Sequence, residues 1–214
     1  MKESIAKAKQ PSSYYYDLYY KKKGLHHLIN KMRVNYTADR AEGKEVLDIG
    51  CGCGVLASVL KNDRYCGVDI DYGCIEFAKK EIRYGKFICC DIKTFKAGRK
   101  FDVVVLDNVL EHFNFQERRS ILINADKYLK INGLVVAVVP SIFFMKFIEP
   151  VFLKVRDMLD PGLKFDDEDF HDTVPLVKEI CSDLPHYAKI STELLCFGMM
   201  RFVVCKKVKE RSEF

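Results

Sequence analysis

Residues 46–54 read Val-Leu-Asp-Ile-Gly-Cys-Gly-Cys-Gly, and this stretch decides the fold. The run Glu45–Ile49 is typical of a buried strand, and it leads directly into glycines at alternate positions, Gly50, Gly52 and Gly54. Glycine tolerates positive φ, and its missing side chain lets a ligand approach the main chain beside the start of a helix. The sequence therefore predicts a strand, a tight ligand-binding turn and a helix in succession.

Short apolar runs alternate with amphipathic stretches on both sides of this turn. The predicted strands are Glu45–Ile49, Tyr65–Val68, Lys86–Cys89, Phe101–Leu106 and Leu134–Val139, followed by a hairpin of Ala188–Cys196 and Met199–Lys206. The predicted helices between the first five strands are Gly54–Asn62, Tyr72–Tyr84 and Phe115–Leu129. Repeated strand-helix winding predicts an α/β fold with parallel strands, because crossover connections of this kind are right-handed and return to the same sheet.

A length of 214 residues with 49% hydrophobic and 30% charged residues predicts one folded domain over 1–214. We divide it into a helical N-terminal cap (1–43), a ligand-binding core (44–140), an insertion (141–171), and a C-terminal helix with the closing hairpin (172–214). The cap is rich in tyrosine, since five of the seven residues 14–20 are Tyr. These side chains either line a ligand pocket or pack the leading helices, and residues 21–23, all Lys, are typical of a solvated face.

The glycine spacing argues against a dinucleotide. A dinucleotide site expects Gly-x-Gly-x-x-Gly, whereas residues 50–54 read Gly-x-Gly-x-Gly. The acidic Asp48 precedes the first glycine by two positions, where it repels phosphate and can accept hydrogen bonds from a cation. The sequence therefore predicts a ligand that carries an ammonium group.

Asp-x-Gly-x-Gly-x-Gly after a first strand resembles the signature of the class I S-adenosylmethionine-dependent methyltransferases. Four further landmarks of that family follow in order, at residues 67–71 (Gly-Val-Asp-Ile-Asp), 89–92 (Cys-Cys-Asp-Ile), 101–112 and 130–134 (Lys-Ile-Asn-Gly-Leu). The resemblance covers residues 44–140 and is to the small-molecule branch that includes the quinone-biosynthesis O-methyltransferases. It implies a three-layer Rossmann-like sandwich. Its sheet is expected to be seven-stranded and mostly parallel with an antiparallel last strand, with N-terminal helices and a lid after the fifth strand.

The resemblance also implies the cofactor, S-adenosyl-L-methionine, with S-adenosyl-L-homocysteine as its product. Asp69 is expected to hold the ribose hydroxyls, whereas Asp71 is placed to cap the next helix. Asp91 is expected to accept the exocyclic amine of adenine, with Ile92 packed on the ring. The full set of expected cofactor-binding residues is Asp48, Gly50, Gly52, Gly54, Asp69, Ile70, Asp91, Ile92, Asp107 and Asn108.

His112 is the candidate catalytic residue, because an imidazole beyond the fourth strand can remove a proton from a hydroxyl. Two other readings stay open. The Glu111-His112 pair serves local hydrogen bonding in part of the family, and in some relatives it holds a divalent cation, for which His171 is the distant partner here. Asn108 stands where those relatives carry an acid, and we predict no metal site.

The predicted activity is in-line transfer of a methyl group to a hydroxyl or amine of a small molecule. The chain lacks the Asn/Asp-Pro-Pro-aromatic clamp of enzymes that methylate planar amines, which favours small acceptors. The alternatives are an RNA or protein methyltransferase, and a module that binds the cofactor without catalysis. The apolar insertion 141–171 is a lid over an apolar acceptor, a dimer contact or a membrane-surface patch.

The composition of the chain limits the cellular location, the cysteine chemistry and the partners that we expect. No apolar run approaches the roughly 20 residues needed to cross a bilayer, and the charged N-terminus has no secretory core, so we expect a cytoplasmic protein. The nine cysteines are scattered and read as reduced thiols, with Cys51 and Cys53 acting as small apolar residues rather than zinc ligands. A net charge of +5 does not establish nucleic-acid binding, and we expect a monomer or homodimer.

Overall fold

The structure is a computed structural model that describes residues 13–21, 23–141, 180, 184, 186–196 and 199–209. These residues divide into two compact units, with the boundary between Val105 and Leu106. The single domain and its subdivisions expected from the sequence stay a prediction.

The elements follow the predicted alternation. The first unit contains α1 (Tyr14–Tyr20), α2 (Leu25–Ala41), β1 (Val46–Ile49), α3 (Val55–Leu60), β2 (Tyr65–Asp69), α4 (Tyr72–Glu81), β3 (Lys86–Cys89) and most of β4 (Phe101–Asp107). The second unit contains the rest of β4, a 3-10 helix (Leu110–His112), α5 (Phe115–Lys127), β5 (Leu129–Pro140), β6 (Tyr187–Leu195) and β7 (Met200–Lys207).

The strands form one seven-stranded sheet in the order β3-β2-β1-β4-β5-β7-β6. Strand β2 runs parallel to both β1 and β3, whereas β7 is antiparallel to both β5 and β6. The predicted α/β, Rossmann-like architecture with a mostly parallel sheet and an antiparallel last strand is therefore confirmed.

Burial explains why the strands lie where they do. All four residues of β1 are buried, and so are Val103–Leu106 of β4, as expected for strands covered on both faces. Helix α4 packs against β2 and β3, while α1, α2 and α3 contact one another. The cap of α4 is the predicted one, because the Asp71 carboxylate accepts a hydrogen bond of 2.9 Å from the backbone N–H of Cys74.

Two boundaries differ from those expected by more than two residues. Strand β5 begins at Leu129 rather than Leu134, because Asn132 adopts a positive φ of 66° within the extended stretch instead of ending it. Helix α4 ends at Glu81 rather than Tyr84, since its C-cap Ile82 is extended. The predicted lid (141–171) lies outside the described residues except for Ser141, as does most of the predicted C-terminal helix.

Candidate functional site

The glycine loop, residues 50–54, joins β1 to α3 with three left-handed residues. The φ angles are 74° at Gly50, 50° at Gly52 and 75° at Gly54. The loop is anchored on the neighbouring strand, because the backbone N–H groups of Gly50 and Cys51 both donate to the carbonyl of Val68, at 2.8 and 3.2 Å. Only glycine adopts such a succession of conformations without strain, which explains the glycine-rich sequence.

Gly54 and Gly52 differ in what surrounds them. A Cβ on Gly54 would lie 2.6 Å from Ile82 Cδ1 and 2.8 Å from Phe87 Cε1, so this residue is glycine because of packing. A Cβ on Gly52 would meet no atom within 4 Å. The main chain at Gly52 therefore borders open space that a ligand can enter.

Gly67 of β2 is a contributor to the site that the sequence interpretation did not single out. A Cβ there would lie 2.7 Å from Cys51 Sγ, so the absence of a side chain lets the glycine loop approach β2. A glycine inside a strand often marks a close backbone approach of this kind, and that signal was present in the sequence.

Asp69 ends β2 and is held in a fixed orientation by two main-chain donors. Its Oδ2 accepts a hydrogen bond of 2.7 Å from the N–H of Gly52, and its Oδ1 accepts one of 2.9 Å from the N–H of Asp71. A carboxylate oxygen has a second lone pair, so both oxygens keep the capacity to accept from a ligand hydroxyl. Asp69 and the glycine loop are thus brought together, as the sequence predicted.

Asp91 follows the end of β3 and lies close to Asp69 in the sheet. Asp69 is paired with Cys89 across β2 and β3, and its carbonyl accepts a hydrogen bond of 2.9 Å from the N–H of Cys90. The Asp91 carboxylate accepts from the N–H of Lys93 at 2.8 Å, which stabilises the turn that follows the strand. The ends of β1, β2 and β3 therefore gather the glycine loop, Asp69 and Asp91 at one edge of the sheet.

The two isoleucines expected at the cofactor differ in exposure. Ile70, directly after Asp69, is 66% exposed, whereas Ile92 is 8% exposed and belongs to the core. An exposed isoleucine between two acids presents an apolar surface on which a flat ring can pack.

Asp48 is buried rather than open to solvent. It is 4% exposed, and its Oδ2 accepts a hydrogen bond from the hydroxyl of Tyr65 on β2. Burial, together with the charge of Asp48, raises the pKa of the Tyr65 hydroxyl well above its usual value, so this tyrosine stays protonated as a donor. Tyr65 is a partner of Asp48 that the sequence did not reveal, and the expected contact of Asp48 with an ammonium group stays a prediction.

The cysteines around the glycine loop are protonated thiols. All eight cysteines in the described part of the chain are free. Burial raises the pKa of Cys51 well above its usual value, that of Cys53 to about 11 and that of Cys74 to about 12. Neighbouring carboxylates raise the pKa further at all three thiols. At Cys51 these carboxylates are Asp48 and Asp69. These thiols therefore pack as small apolar groups, in keeping with the role predicted for Cys51 and Cys53.

Tyrosines of α1 contact the helices next to the glycine loop. The Tyr20 hydroxyl is 2.8 Å from Ser58 Oγ on α3, and the ring centroid of Tyr16 is 5.3 Å from that of Phe77 on α4. The Tyr19 hydroxyl donates to Asn35 Oδ1 of α2 at 2.8 Å. Of the two roles left open for these tyrosines, packing of the leading helices is therefore observed for Tyr16, Tyr19 and Tyr20.

The second unit holds the residues that follow β4. Asn108 has a positive φ of 55°, and its N–H donates to the carbonyl of Val138 on β5 at 3.0 Å. Asp107 is partly buried at the strand end, and Glu111 is 3% exposed. His112 is exposed at the end of the 3-10 helix. Its backbone N–H donates a hydrogen bond of 3.2 Å to the carbonyl of Val109. Glu111 and His112 therefore differ in their access to solvent, and the catalytic role of His112 stays a prediction.

Two kinds of feature are absent from the described ranges, a metal-binding cluster and a membrane-spanning helix. No group of three His, Cys, Asp or Glu side chains in the described ranges is arranged to hold a metal ion. His171, the suggested distant partner of His112, lies outside those ranges. None of the helices described is both long and apolar enough to cross a membrane.

Comparison with known proteins agrees with this geometry. Residues 47–135 match the family model described as "Methyltransferase domain". The ubiquinone biosynthesis O-methyltransferase of Escherichia coli O6:H1 is 34% identical over 122 residues, which cover 51% of this chain and 50% of that protein. The chain thus spans about half the length of the curated relatives it matches.

Solved structures share the fold. Magnesium protoporphyrin IX methyltransferase from Synechocystis PCC 6803, with bound S-adenosylhomocysteine, has a TM-score of 0.63 at 17% sequence identity. The superposition covers 90% of this chain and 92% of the Synechocystis chain. An N-methyltransferase from Bradyrhizobium japonicum, also in complex with S-adenosylhomocysteine, has a TM-score of 0.60 at 14% sequence identity. That superposition covers 85% of this chain and 88% of the Bradyrhizobium chain. Residues 47–135 are therefore similar to the methyltransferase-domain family, and about half of the chain resembles the ubiquinone biosynthesis O-methyltransferases. The chain has the Rossmann-like fold of these solved structures.

Proposed function

We propose that this protein is an S-adenosyl-L-methionine-dependent methyltransferase that methylates a hydroxyl or amine of a small molecule and releases S-adenosyl-L-homocysteine. One observation carries the proposal: the open main chain at Gly52 is hydrogen-bonded to the oriented carboxylate of Asp69 at the carboxyl edge of the sheet. Ligands of open α/β sheets bind outside this edge.

The residues present fit the cofactor. The space beside Gly52 accommodates a ligand against the main chain, and Asp69 offers two fixed acceptors for a pair of ribose hydroxyls. Asp91 supplies an acceptor for an exocyclic amine, and the exposed Ile70 supplies an apolar surface for the adenine ring. When bound, the cofactor supplies a methyl group on a positively charged sulfur.

Asp69 is the residue proposed to hold both ribose hydroxyls. Replacing it in Asp69→Ala removes a charge-assisted pair of hydrogen bonds, and we expect binding of S-adenosylmethionine to weaken by about 1–3 kcal/mol in calorimetry. Asp71→Ala is the matched control, because it removes an acid two residues away that caps α4. It should lower stability and leave the affinity unchanged. Equal affinities of wild type and a folded Asp69→Ala protein would contradict the assignment.

His112 is proposed as the group that takes the proton of the acceptor. Its exposed imidazole lies beyond the end of β4, and a neutral imidazole accepts a proton from a hydroxyl near neutral pH. The chain's remaining task is to hold the acceptor in line with the methyl group and to exclude water, which lowers the barrier through alignment.

The variant His112→Ala should reduce kcat by roughly 10²–10⁴-fold, the range typical of a lost general base, and leave cofactor affinity unchanged. The exposed Gln116→Ala on α5 serves as a control with unchanged kcat. The measurement is formation of S-adenosylhomocysteine under saturating cofactor. A fully active His112→Ala enzyme would rule out the proposed base.

The acceptor is proposed from the relatives. The relatives are O-methyltransferases of ubiquinone biosynthesis, and this likeness favours a hydroxyl on a small, apolar molecule as the acceptor here. The general test is native mass spectrometry of the purified protein, followed by turnover on panels of phenolic hydroxyls and amines. Binding of S-adenosylmethionine without turnover on any acceptor would indicate a binding module. Binding of a nicotinamide or flavin dinucleotide in its place would overturn the proposal.

The cellular setting is proposed as the cytoplasm, with the protein acting as a monomer or homodimer. The free thiols described here fit a reducing compartment. Size-exclusion chromatography with light scattering separates the two assembly states.

A further inference from the structure

The connection from β3 to β4 differs from the other crossover connections of the first unit. Residues 90–100 form turns and irregular loop, whereas α3 and α4 follow β1 and β2. In a parallel sheet, crossover helices cover the two faces of the strands. Among the described residues, a loop in this position covers less of one face of β2 and β3 than a helix would.

The face concerned is the one opposite α4. Phe87 points to the α4 side, where it lies against Gly54 and the ring of Tyr65. Because side chains alternate along a strand, Lys86 and Ile88 point to the other side. Ile88 is 38% exposed there, which is unusual for an isoleucine on a parallel strand.

A cleft of about 290 Å³ lies on this face, entirely within the first unit. We name it the β3–β4 cleft. Its apolar wall is formed by Cys66, Ile88 and Phe95, and its basic rim by Lys86, Lys96 and Arg99. None of the residues that line it is acidic. The volume is close to the lower end of the range for small-molecule sites, about 300–1,000 Å³.

The basic rim acts on the interior of the cleft. Burial raises the pKa of the Cys66 thiol, and the positive charges of Arg99 and Lys86 oppose that rise, so both cations lie close to the cleft wall. The Arg99 guanidinium is 5.0 Å from the Phe101 ring centroid and 3.4 Å from Glu45 Oε1. The pair with Glu45 is partly exposed and therefore weak, so an anion in the cleft can compete for Arg99.

We propose that the β3–β4 cleft binds a small organic anion with an apolar body. The apolar wall takes the body of the ligand, and Lys86, Lys96 and Arg99 take its carboxylate or phosphate. An apolar wall with a few convergent polar groups is the usual composition of a small-molecule site. This inference does not depend on the proposed function, because no residue of the cleft belongs to the glycine loop or to the acids that follow β2 and β3.

The test compares octyl phosphate with octanol by calorimetry on the full-length protein. Octyl phosphate should bind at least tenfold more tightly than octanol, and the preference should fall as salt concentration rises. The double variant Lys96→Ala/Arg99→Ala should lose at least tenfold in affinity for octyl phosphate and leave octanol binding unchanged. The double variant Lys79→Ala/Lys80→Ala, in exposed residues of α4, is the matched control and should bind as wild type does.

A second variant tests the location without changing charge. A Cβ on Gly98 would meet no atom within 4 Å, so a side chain can begin there, and Gly98→Phe adds a ring beside the cleft. It should abolish binding of both probes. The proposal would be overturned if the Lys79→Ala/Lys80→Ala control lost as much affinity for octyl phosphate as the Lys96→Ala/Arg99→Ala variant. It would also be overturned if both the Lys96→Ala/Arg99→Ala and the Gly98→Phe variants bound octyl phosphate as tightly as wild type. Binding to anionic phosphatidylglycerol vesicles without binding of octyl phosphate would overturn it as well, because that result would mark a membrane surface.

Discussion

Gly54→Ala should destabilise the protein by about 2–5 kcal/mol and abolish measurable binding of S-adenosylmethionine. A methyl group at this position would lie 2.8 Å from Cε1 of Phe87, whose buried ring packs at 5.8 Å from that of Tyr65 and cannot move freely. Overpacking of this kind costs about 1–3 kcal/mol. The left-handed backbone, with φ at 75°, adds about 1–2 kcal/mol for a residue with a side chain.

Gly52→Ala provides the contrast that separates packing from ligand binding. Its φ of 50° imposes a similar backbone cost of about 1–2 kcal/mol, but the new methyl group meets open space. We expect a modest loss of stability together with a loss of cofactor affinity of at least tenfold, because the methyl group takes space proposed for the ligand. Urea denaturation followed by circular dichroism measures the first effect, and calorimetry measures the second. Equal stabilities of the two alanine variants would contradict the packing argument.

Lys207→Met should cost about 3–5 kcal/mol of folding free energy, the range for breaking a buried ion pair. Lys207 is 0% exposed at the end of β7. Its Nζ lies 3.1 Å from Asp126 Oδ1 and donates to the carbonyls of Asp126 at 2.9 Å and Leu129 at 3.3 Å. Removing the ammonium leaves a buried carboxylate without its countercharge. The same Asp126 Oδ1 accepts from the Tyr187 hydroxyl at 2.8 Å, so the cluster ties α5, β5, β6 and β7 together.

Chemical denaturation followed by circular dichroism measures this effect, since the chain has no Trp for fluorescence. Lys127→Met is the matched control, because Lys127 is exposed and contacts Asn124 on its own helix. It should change stability by less than about 0.5 kcal/mol. The double variant Lys207→Met/Asp126→Asn should recover part of the loss, because it also removes the buried negative charge. A Lys207→Met protein as stable as the Lys127→Met control would show that the ion pair does not hold the second unit.

Much of this fold could be predicted from sequence because its signals are local. The strand Lys86–Cys89 has its predicted bounds, and α5 begins at Phe115 as predicted because Asn114 and Glu117 form a capping box before it. The glycine loop was predicted from the spacing of its glycines, and Asp69 was predicted from the family resemblance of residues 67–71. They lie close together because the carboxyl ends of parallel strands meet at one edge of the sheet. Local sequence patterns were sufficient for these features.

The features that were missed depend on contacts between distant residues. In the sequence, Lys207 belongs to the charged C-terminal stretch that follows the predicted hairpin. Nothing near it indicates its pairing with Asp126, 81 positions away. The partnership of Tyr65 with Asp48 likewise depends on strand register, which places two residues 17 positions apart on adjacent strands. The start of β5 was missed because Asn132-Gly133 is a common turn signal, here absorbed into an extended stretch.

The protonated thiols beside the glycine loop bear on how the protein withstands peroxide. Oxidants and alkylating agents attack the thiolate, and the pKa values of about 11 at Cys53 and about 12 at Cys74 leave very little thiolate at neutral pH. A chain with nine cysteines would otherwise be a ready target. Burial therefore protects Cys51, Cys53 and Cys74, which lie near the proposed methyl-donor pocket, from oxidation by keeping these three thiols protonated.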